Sequence, residues 1–220
     1  MSKNLLQRCA KPMLALSLAC ASLVSLQGCV VLAVGGAVMG TLAATDRRTF
    51  GAQTEDKSIS MKGEIAINRV LGNAAHVNVN SFNRRALLTG EVADEAAKQA
   101  AEKEIRGIDG VMHVYNELQI SGLSNFSSRS SDALITTRVK ASIMDAKDLY
   151  GSAYKVVTEA GTMFLMGRVT QREGNQAANL AAGVSGVLRV VKVFEYISED
   201  DLKQMMAAPN SQSAQSTTKQ

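Results

Sequence analysis

Cysteine is the residue type of this 220-residue chain whose position most clearly indicates chemistry. Cys29 closes the segment Leu26–Cys29, in which a small glycine stands directly before the thiol. A basic start and the apolar run Pro12–Leu26 precede it. This is the order of a signal peptide, and the run is too short to span a bilayer. We therefore predict that residues 1–28 are removed. The other two cysteines lie in that segment, so no disulfide is expected in an oxidising compartment.

The four residues Leu-Gln-Gly-Cys resemble a bacterial lipobox, in which the cysteine after the cut carries a diacylglycerol. Gln27 is bulkier than the small residue usual at its position, and an ordinary secretory peptide with a chance cysteine is the alternative. The lipobox resemblance also implies the enterobacterial sorting pattern. In that pattern, Val30 directly after the lipidated cysteine favours the outer membrane. We expect a chain anchored through Cys29 to the outer membrane and facing the periplasm.

The remaining residues give no sign of catalysis or metal binding. His76 and His113 are the only histidines, and a metal site needs more ligands than these two. The glycine pairs in 107–110 and 183–186 follow helical segments, which indicates helix ends and not phosphate loops. No Gly-x-Ser-x-Gly pattern is present. We predict a protein that is not an enzyme and that binds neither a metal nor a cofactor.

The formal charge of +4 does not indicate binding to nucleic acid. Three of the 24 basic residues, Lys3, Arg8 and Lys11, lie in the segment predicted to be removed, which leaves 21 basic residues against 20 acidic ones. The mature chain is therefore nearly neutral, and we expect no nucleic-acid partner.

The segment after the cysteine, residues 29–55, is predicted to be a lipidated tether. Its apolar run Val30–Ala44 is too short to span a bilayer comfortably, and it contains two glycines four residues apart. Such spacing could pair helices, although a flexible tether is the preferred interpretation. The neighbouring Arg47 and Arg48 could meet anionic head groups or remain solvated.

A tandem duplication follows, because three landmarks recur in the same order at offsets of 76 or 77 residues. Asp56–Ile59 corresponds to Asp132–Ile135, Leu88–Val92 to Leu165–Val169, and Gly107–Val111 to Gly183–Val187. Each copy reads as helix, strand, strand, helix, strand.

In the second copy, a helix is predicted from about Asp132, a turn at Ala160–Gly161, and strands over Tyr154–Glu159, Met163–Met166 and Val187–Ile197. Thr170 and Glu173 form a capping box that opens the second helix. In the first copy, Gly63 interrupts the first helix, the second helix covers Ala93–Ile105, and the strands cover His76–Phe82, Arg85–Val92 and Val111–Ile120.

This unit, with Leu-x-Gly-x-Val and Gly-(Val/Ile)-x-Gly-Val, resembles the BON domain. With the lipobox and Ala44–Arg48, it resembles the outer-membrane lipoproteins that have two BON domains. The resemblance implies an α+β fold of two αββαβ domains, each with two helices on a small three-stranded mixed sheet. The expected organisation is a signal peptide over 1–28, a tether over 29–55, BON domains over 56–121 and 132–200, a linker over 122–131 and a disordered tail over 201–220.

The same resemblance implies that the second BON domain binds anionic phospholipid of the phosphatidylglycerol type. It also implies support of outer-membrane integrity and accumulation at division sites. Charge agrees weakly, since 132–197 carries a net +2 and 56–120 a net −1. The alternative is a scaffold that binds envelope-assembly or division proteins.

Helical geometry selects the residues for such contact. Ile135, Val139 and Ile143 point toward the sheet, and a different face carries Leu134, Thr137, Arg138, Ala141 and Met144. The resemblance adds an aromatic near the end of the final strand, here Phe194, and it often has a larger aromatic in place of Leu134. Leu134 and Phe194 could instead be ordinary packing or isolated exposed residues.

Overall fold

The computed structural model describes residues 46–207, in which the repeated unit folds twice. The first copy comprises α1 (Phe50–Leu71), β1 (His76–Phe82), β2 (Arg85–Val92), α2 (Glu95–Arg106), β3 (His113–Asn116) and β4 (Gln119–Ile120). The second comprises α3 (Phe126–Asp145), β5 (Tyr154–Glu159), β6 (Thr162–Thr170), α4 (Gln171–Ala182) and β7 (Arg189–Ile197), and α5 (Glu199–Ala207) follows it. The predicted signal peptide, Cys29, the tether as far as residue 45 and the tail from residue 208 lie outside the described residues.

Both sheets are small and mixed, which confirms the predicted α+β fold. In the second copy, β6 lies between β5, which is antiparallel to it, and β7, which is parallel. In the first copy, β2 pairs in the same way with β1 and β3. The predicted last strand of this copy is split, and its second part, β4, also pairs with β2 in parallel.

Each first helix holds the turn of the hairpin that follows it. Both central residues of the turns Asn83–Arg84 and Ala160–Gly161 have positive φ, as in type I′ turns. Asp56 accepts hydrogen bonds from both N–H groups of the first turn, at 2.7 and 2.8 Å. Asp132 does the same in the second, at 2.9 Å each. The aspartate of the repeated landmark therefore fixes helix against hairpin in both copies.

The two copies pack sheet against sheet. In β2, Leu88 packs under the helices of its own copy, while its neighbour Leu87 points to the other copy. In β6, Leu165 likewise packs under the helices of its own copy, and Phe164 points to the other copy. The cluster between the sheets consists of Phe82, Leu87, Phe164, Met166 and Val193. The layers therefore follow the order helices, sheet, sheet, helices.

Two helices begin earlier than predicted, and a third, α5, was not predicted. α3 begins at Phe126 because the side chain of Asn125 caps it by accepting from the N–H of Ser128 at 2.9 Å. The second half of the predicted linker is therefore helical. α1 likewise begins within the predicted tether, at Phe50. α5 occupies the start of the predicted tail, where Leu202 is buried.

Gly63 lies within α1 and does not interrupt it. A Cβ at this position would lie 2.7 Å from Val79 Cγ1 and 2.9 Å from Ile105 Cδ1. Because glycine has no Cβ, the helix can approach the sheet and α2 closely at this position. This close packing outweighs the low helix propensity of glycine.

Phe164 provides a test of the cluster between the sheets, because its ring is only 1% exposed. We expect Phe164→Ala to lower the free energy of unfolding by about 3–5 kcal/mol, since it removes a buried ring and leaves a cavity. Phe126→Ala is the matched control, with a ring that is 85% exposed, and should change stability by less than about 0.5 kcal/mol. Urea unfolding followed by circular dichroism measures both, and equal effects would contradict this packing.

Candidate functional site

Five of the six residues predicted to contact lipid lie together on the outer surface of α3. Leu134, Thr137, Arg138, Ala141 and Met144 are all exposed, and the apolar members Leu134 and Met144 are 60% and 67% exposed. The buried residues Ile135, Val139 and Ile143 occupy the opposite side of the helix. At 100° per residue, the exposed set forms one continuous strip.

Phe126 extends this strip, although sequence reasoning placed it in the linker. It is the first residue of α3, its ring is 85% exposed, and it projects in the same direction as Thr137 and Met144. From Phe126 to Met144 the helix rises about 27 Å. We refer to Phe126 and the five predicted residues as the α3 face. Asn125 is a residue type that caps helices, and it stands before residues with helical spacing. This pattern could have predicted that the helix begins at Phe126.

The hydroxyl groups along this strip already have partners within the helix. Ser130 donates to the carbonyl of Phe126 at 2.9 Å, and Thr137 donates to the carbonyl of Ala133 at the same distance. Such bonds to the preceding turn are common for serine and threonine in helices. They lower the cost of moving this side of α3 out of water, because no hydroxyl of these two residues loses its only partner.

The exposed charges along α3 are positive up to its last residue. Arg129, Arg138 and Lys140 are exposed, and none lies within 4 Å of a carboxylate of the described residues 46–207. Before Asp145, the single acidic residue of the helix is Asp132, which is buried beneath the hairpin turn. The helix therefore presents apolar groups flanked by cations that are free to meet anions.

Phe194 does not join the α3 face. Its ring is 7% exposed and lies edge-to-face with Tyr154 and Tyr196, at centroid distances of 6.1 and 5.9 Å. Gly174 of α4 makes room for it, since a Cβ there would lie 3.1 Å from the ring. Phe194 is therefore a core residue, contrary to the sequence-based expectation. Tyr196, which is 46% exposed, is the aromatic of β7 that reaches the surface.

The two arginines before α1 are neither solvated nor free to meet head groups. Arg47 donates to both carboxylate oxygens of Glu173, at 2.8 and 2.6 Å, and the two side chains are 6% and 2% exposed. Arg48 pairs with Asp46 and Asp56 and lies 4.0 Å above the ring centre of Phe82. The segment before the first copy is thereby tied to α4 of the second.

Glu173 also closes the predicted capping box, which the structure confirms. Its side chain accepts from the N–H of Thr170 at 2.9 Å, and the Thr170 hydroxyl accepts from the N–H of Glu173. Burial by itself would raise the pKa of Glu173. Hydrogen bonds from Arg47 and Thr170, together with the charge of Arg47, outweigh it and hold the pKa below its usual value.

The two histidines lie at opposite ends of β2 and do not meet. His76 is paired with Glu91, and the exposed His113 is paired with Arg85, about 20 Å away along the strand. His76 instead lies beside Glu91 and Glu159, with one possible ligand atom from each within 4.8 Å of the others. Sequence reasoning missed this group because Glu159 comes from the other copy.

Within residues 46–207, no helix combines the length and the apolar character needed to cross a bilayer.

Comparisons with known proteins agree with the repeated fold. The family described as BON domain matches residues 61–122 and 131–198. The outer membrane lipoprotein DolP of Haemophilus influenzae is 37% identical over 84% of this chain and 97% of its own length. A 21 kDa hemolysin of Actinobacillus pleuropneumoniae is 29% identical over 69% of this chain and 79% of its own. The osmotically-inducible protein Y of Escherichia coli is 29% identical over 52% of this chain and 58% of its own.

The Arg47–Glu173 pair predicts a large loss of stability when one partner is removed. Arg47→Met should cost about 3–5 kcal/mol, because it leaves the Glu173 carboxylate buried without a cation. Arg172→Met is the control, since Arg172 pairs with Glu199 at 3.4 Å on the surface, and should cost less than about 1 kcal/mol. Urea unfolding at neutral pH measures the difference.

The effect of Arg47→Met should also depend on pH. The lowered pKa of Glu173 means that the pair stabilises the fold above the unfolded-state pKa, about 4.3, and that this contribution is lost as the pH falls through the lower folded-state pKa. Without Arg47, burial raises the pKa of Glu173. Protonation therefore removes the unpaired buried charge of the variant at a higher pH. The stability gap should therefore narrow on acidification. A gap that is constant from neutral pH to pH 3 would show that this pair does not cause it.

Proposed function

Because this chain belongs to the family of outer-membrane lipoproteins with two BON domains, we propose that it binds anionic phospholipid through the α3 face of its second BON domain. The chain is an outer-membrane lipoprotein. In our proposal the anchor is Cys29, the lipid is of the phosphatidylglycerol type, and the binding supports outer-membrane integrity, including at division sites. The chain acts by binding and not by catalysis.

The observation that carries the proposal is the combination of exposed apolar residues and unpaired cations on one helix. Full burial of a side chain such as that of Phe126, Leu134 or Met144 contributes about 1.5–3 kcal/mol. A lysine or arginine near an anionic surface adds about 1 kcal/mol. Residues of both kinds on one helix, with the core on the other side, suit a helix that lies in the head-group boundary.

The equivalent helix of the first copy supports the choice of the second. α1 also exposes apolar residues, with Phe50, Met61 and Ile65 between 62% and 76% exposed. However, the exposed Glu64 of α1 occupies the position that Lys140 has in α3. An anionic surface would repel α1 at this position and attract α3.

The α1 surface favours a second function, the binding of a protein partner. Since the two sheets face each other, the helices of the two copies lie on opposite sides of the molecule. A membrane contact through α3 would leave Phe50, Met61 and Ile65 of α1 directed away from the membrane. Those residues would be available to an envelope-assembly or division protein.

The test requires both copies, because an isolated second copy would expose Phe164, Met166 and Val193 of the cluster between the sheets. A chain that begins at Thr45 is suitable. It contains all three apolar cores, it forms a compact unit of its own, and it lacks Cys29.

We expect this chain to co-sediment with phosphatidylglycerol vesicles and not with phosphatidylcholine vesicles. Leu134→Glu should weaken the binding about tenfold or more, because it places an anion among the apolar groups of the α3 face. Phe126→Ala should weaken it severalfold without loss of stability. Ile65→Glu is the matched control on α1, with an exposure of 62% against 60% for Leu134, and should retain the binding.

Circular dichroism would first establish that each variant is folded. Absence of binding by the unmodified chain would contradict the proposal, and so would an equal loss in Ile65→Glu and Leu134→Glu. Added salt should weaken the binding, since the cations of α3 contribute through an electrostatic attraction that salt screens.

A further inference from the structure

Three side chains that could bind a metal converge where the two copies meet. His76 is the first residue of β1 and stands opposite Glu91 of β2 in the register. Glu159 is the last residue of β5 and comes from the other copy. One ligand atom from each of the three residues lies within 4.8 Å of the other two.

The two carboxylates are buried, and their charge is poorly compensated. Glu91 and Glu159 are 4% and 5% exposed. Glu91 has His76 at 3.0 Å and accepts from Ser124, and Glu159 accepts from the amide of Asn78 at 2.9 Å. Within the described part of the chain, no lysine or arginine lies within 4 Å of either carboxylate.

Another carboxylate between the two copies is compensated in the usual way. Glu195 lies 3.1 Å from Arg168 of its own copy and 3.6 Å from Arg85 of the other, and Asn83 donates to it. A buried carboxylate normally has such partners, because transfer of an unpaired charge from water is costly. The pair Glu91 and Glu159 has one histidine in place of two arginines, so a cation is the missing partner.

We propose that His76, Glu91 and Glu159 bind one divalent transition-metal ion, for which Zn²⁺ is the best match. Zn²⁺ binds imidazole nitrogen and carboxylate oxygen at roughly 2.0–2.2 Å, whereas Ca²⁺ and Mg²⁺ prefer oxygen alone. Tetrahedral ligands at that distance lie roughly 3.3 Å apart, so rotations that move the ligand atoms by about 1 Å would close the site. The charge of Zn²⁺ matches that of two carboxylates, and a water would complete its coordination.

Such an ion would link the two BON domains directly. His76 and Glu91 belong to the first copy and Glu159 to the second, and Ser124, which donates to Glu91, lies in the connection between them. Bound metal stabilises the arrangement in which all three ligands are together, relative to any arrangement in which the copies separate. The inference is independent of lipid binding, because none of these residues lies on the α3 face.

Zinc binding is best measured by isothermal titration calorimetry on the tag-free chain that begins at Thr45, after treatment with a chelator. We expect one Zn²⁺ per chain and a higher melting temperature with zinc. His76→Gln and Glu159→Gln keep the size of each side chain and should weaken binding about 10–100-fold, since even outer-shell partners contribute that much. His113→Gln removes the other histidine and should bind as the unmodified chain does. Millimolar Mg²⁺ or Ca²⁺ should not displace the zinc.

The proposal fails if the unmodified chain does not bind micromolar zinc, or if His76→Gln binds as tightly as the unmodified chain. It also fails if His113→Gln loses binding to the same extent, which would indicate adventitious contact with exposed histidine. If a Gln variant does not fold, X-ray absorption at the zinc edge of the unmodified chain decides the question. One imidazole, recognised by scattering from its outer ring atoms, with oxygen in the remaining positions supports the site if it persists in His113→Gln. Absence of an imidazole, or its loss in His113→Gln, excludes the site.

Discussion

The architecture depends on one constraint, which is that a small sheet covered by helices on one face has a second apolar face to bury. In each copy the central strand alternates between the two sides, as Leu87 and Leu88 do in β2 and Phe164 and Leu165 do in β6. Neither copy has elements of its own to cover the second face of its sheet, so the sheet of each copy covers that of the other. Exposure of this second apolar face to water would forfeit the free energy of burying residues such as Leu87 and Phe164, and duplication supplies the missing layer.

This packing also determines which surfaces remain for other partners. The inner faces of the two sheets are buried against each other, so the outward surfaces of the helices remain to bind other partners, among them those of α1 and α3. The two helices derive from the same repeated segment and begin with the same exposed aromatic, Phe50 and Phe126. Their charges have diverged, with Glu64 in α1 where α3 has Lys140. One fold therefore offers two similar helices on opposite sides that differ in charge at this position.

Sequence reasoning succeeded where interactions between near neighbours in the chain determine the structure, and it failed where distant residues do. Local patterns were sufficient for the strands His76–Phe82 and Tyr154–Glu159 and for the capping box, because neighbours within a few residues determine them. Phe194 was placed wrongly because its environment depends on Gly174, twenty residues away in another element. Arg47 was misread and the surroundings of Glu159 were missed for the same reason, since their partners lie in the other copy. The repeat predicted each domain but not the contact between the two.

Polar contacts are the features that specify how the two copies meet. Apolar surfaces attract without direction, and the cluster around Phe164 by itself would tolerate several rotations of one sheet on the other. Hydrogen bonds and ion pairs tolerate far fewer, because each fixes a distance and an angle. Arg47 with Glu173, Asn83 with Glu195, and Asn78 with Glu159 each join the two copies or the segment that leads into them. Since α3 is fixed to its sheet by Asp132, these contacts also determine where the α3 face points relative to the first copy.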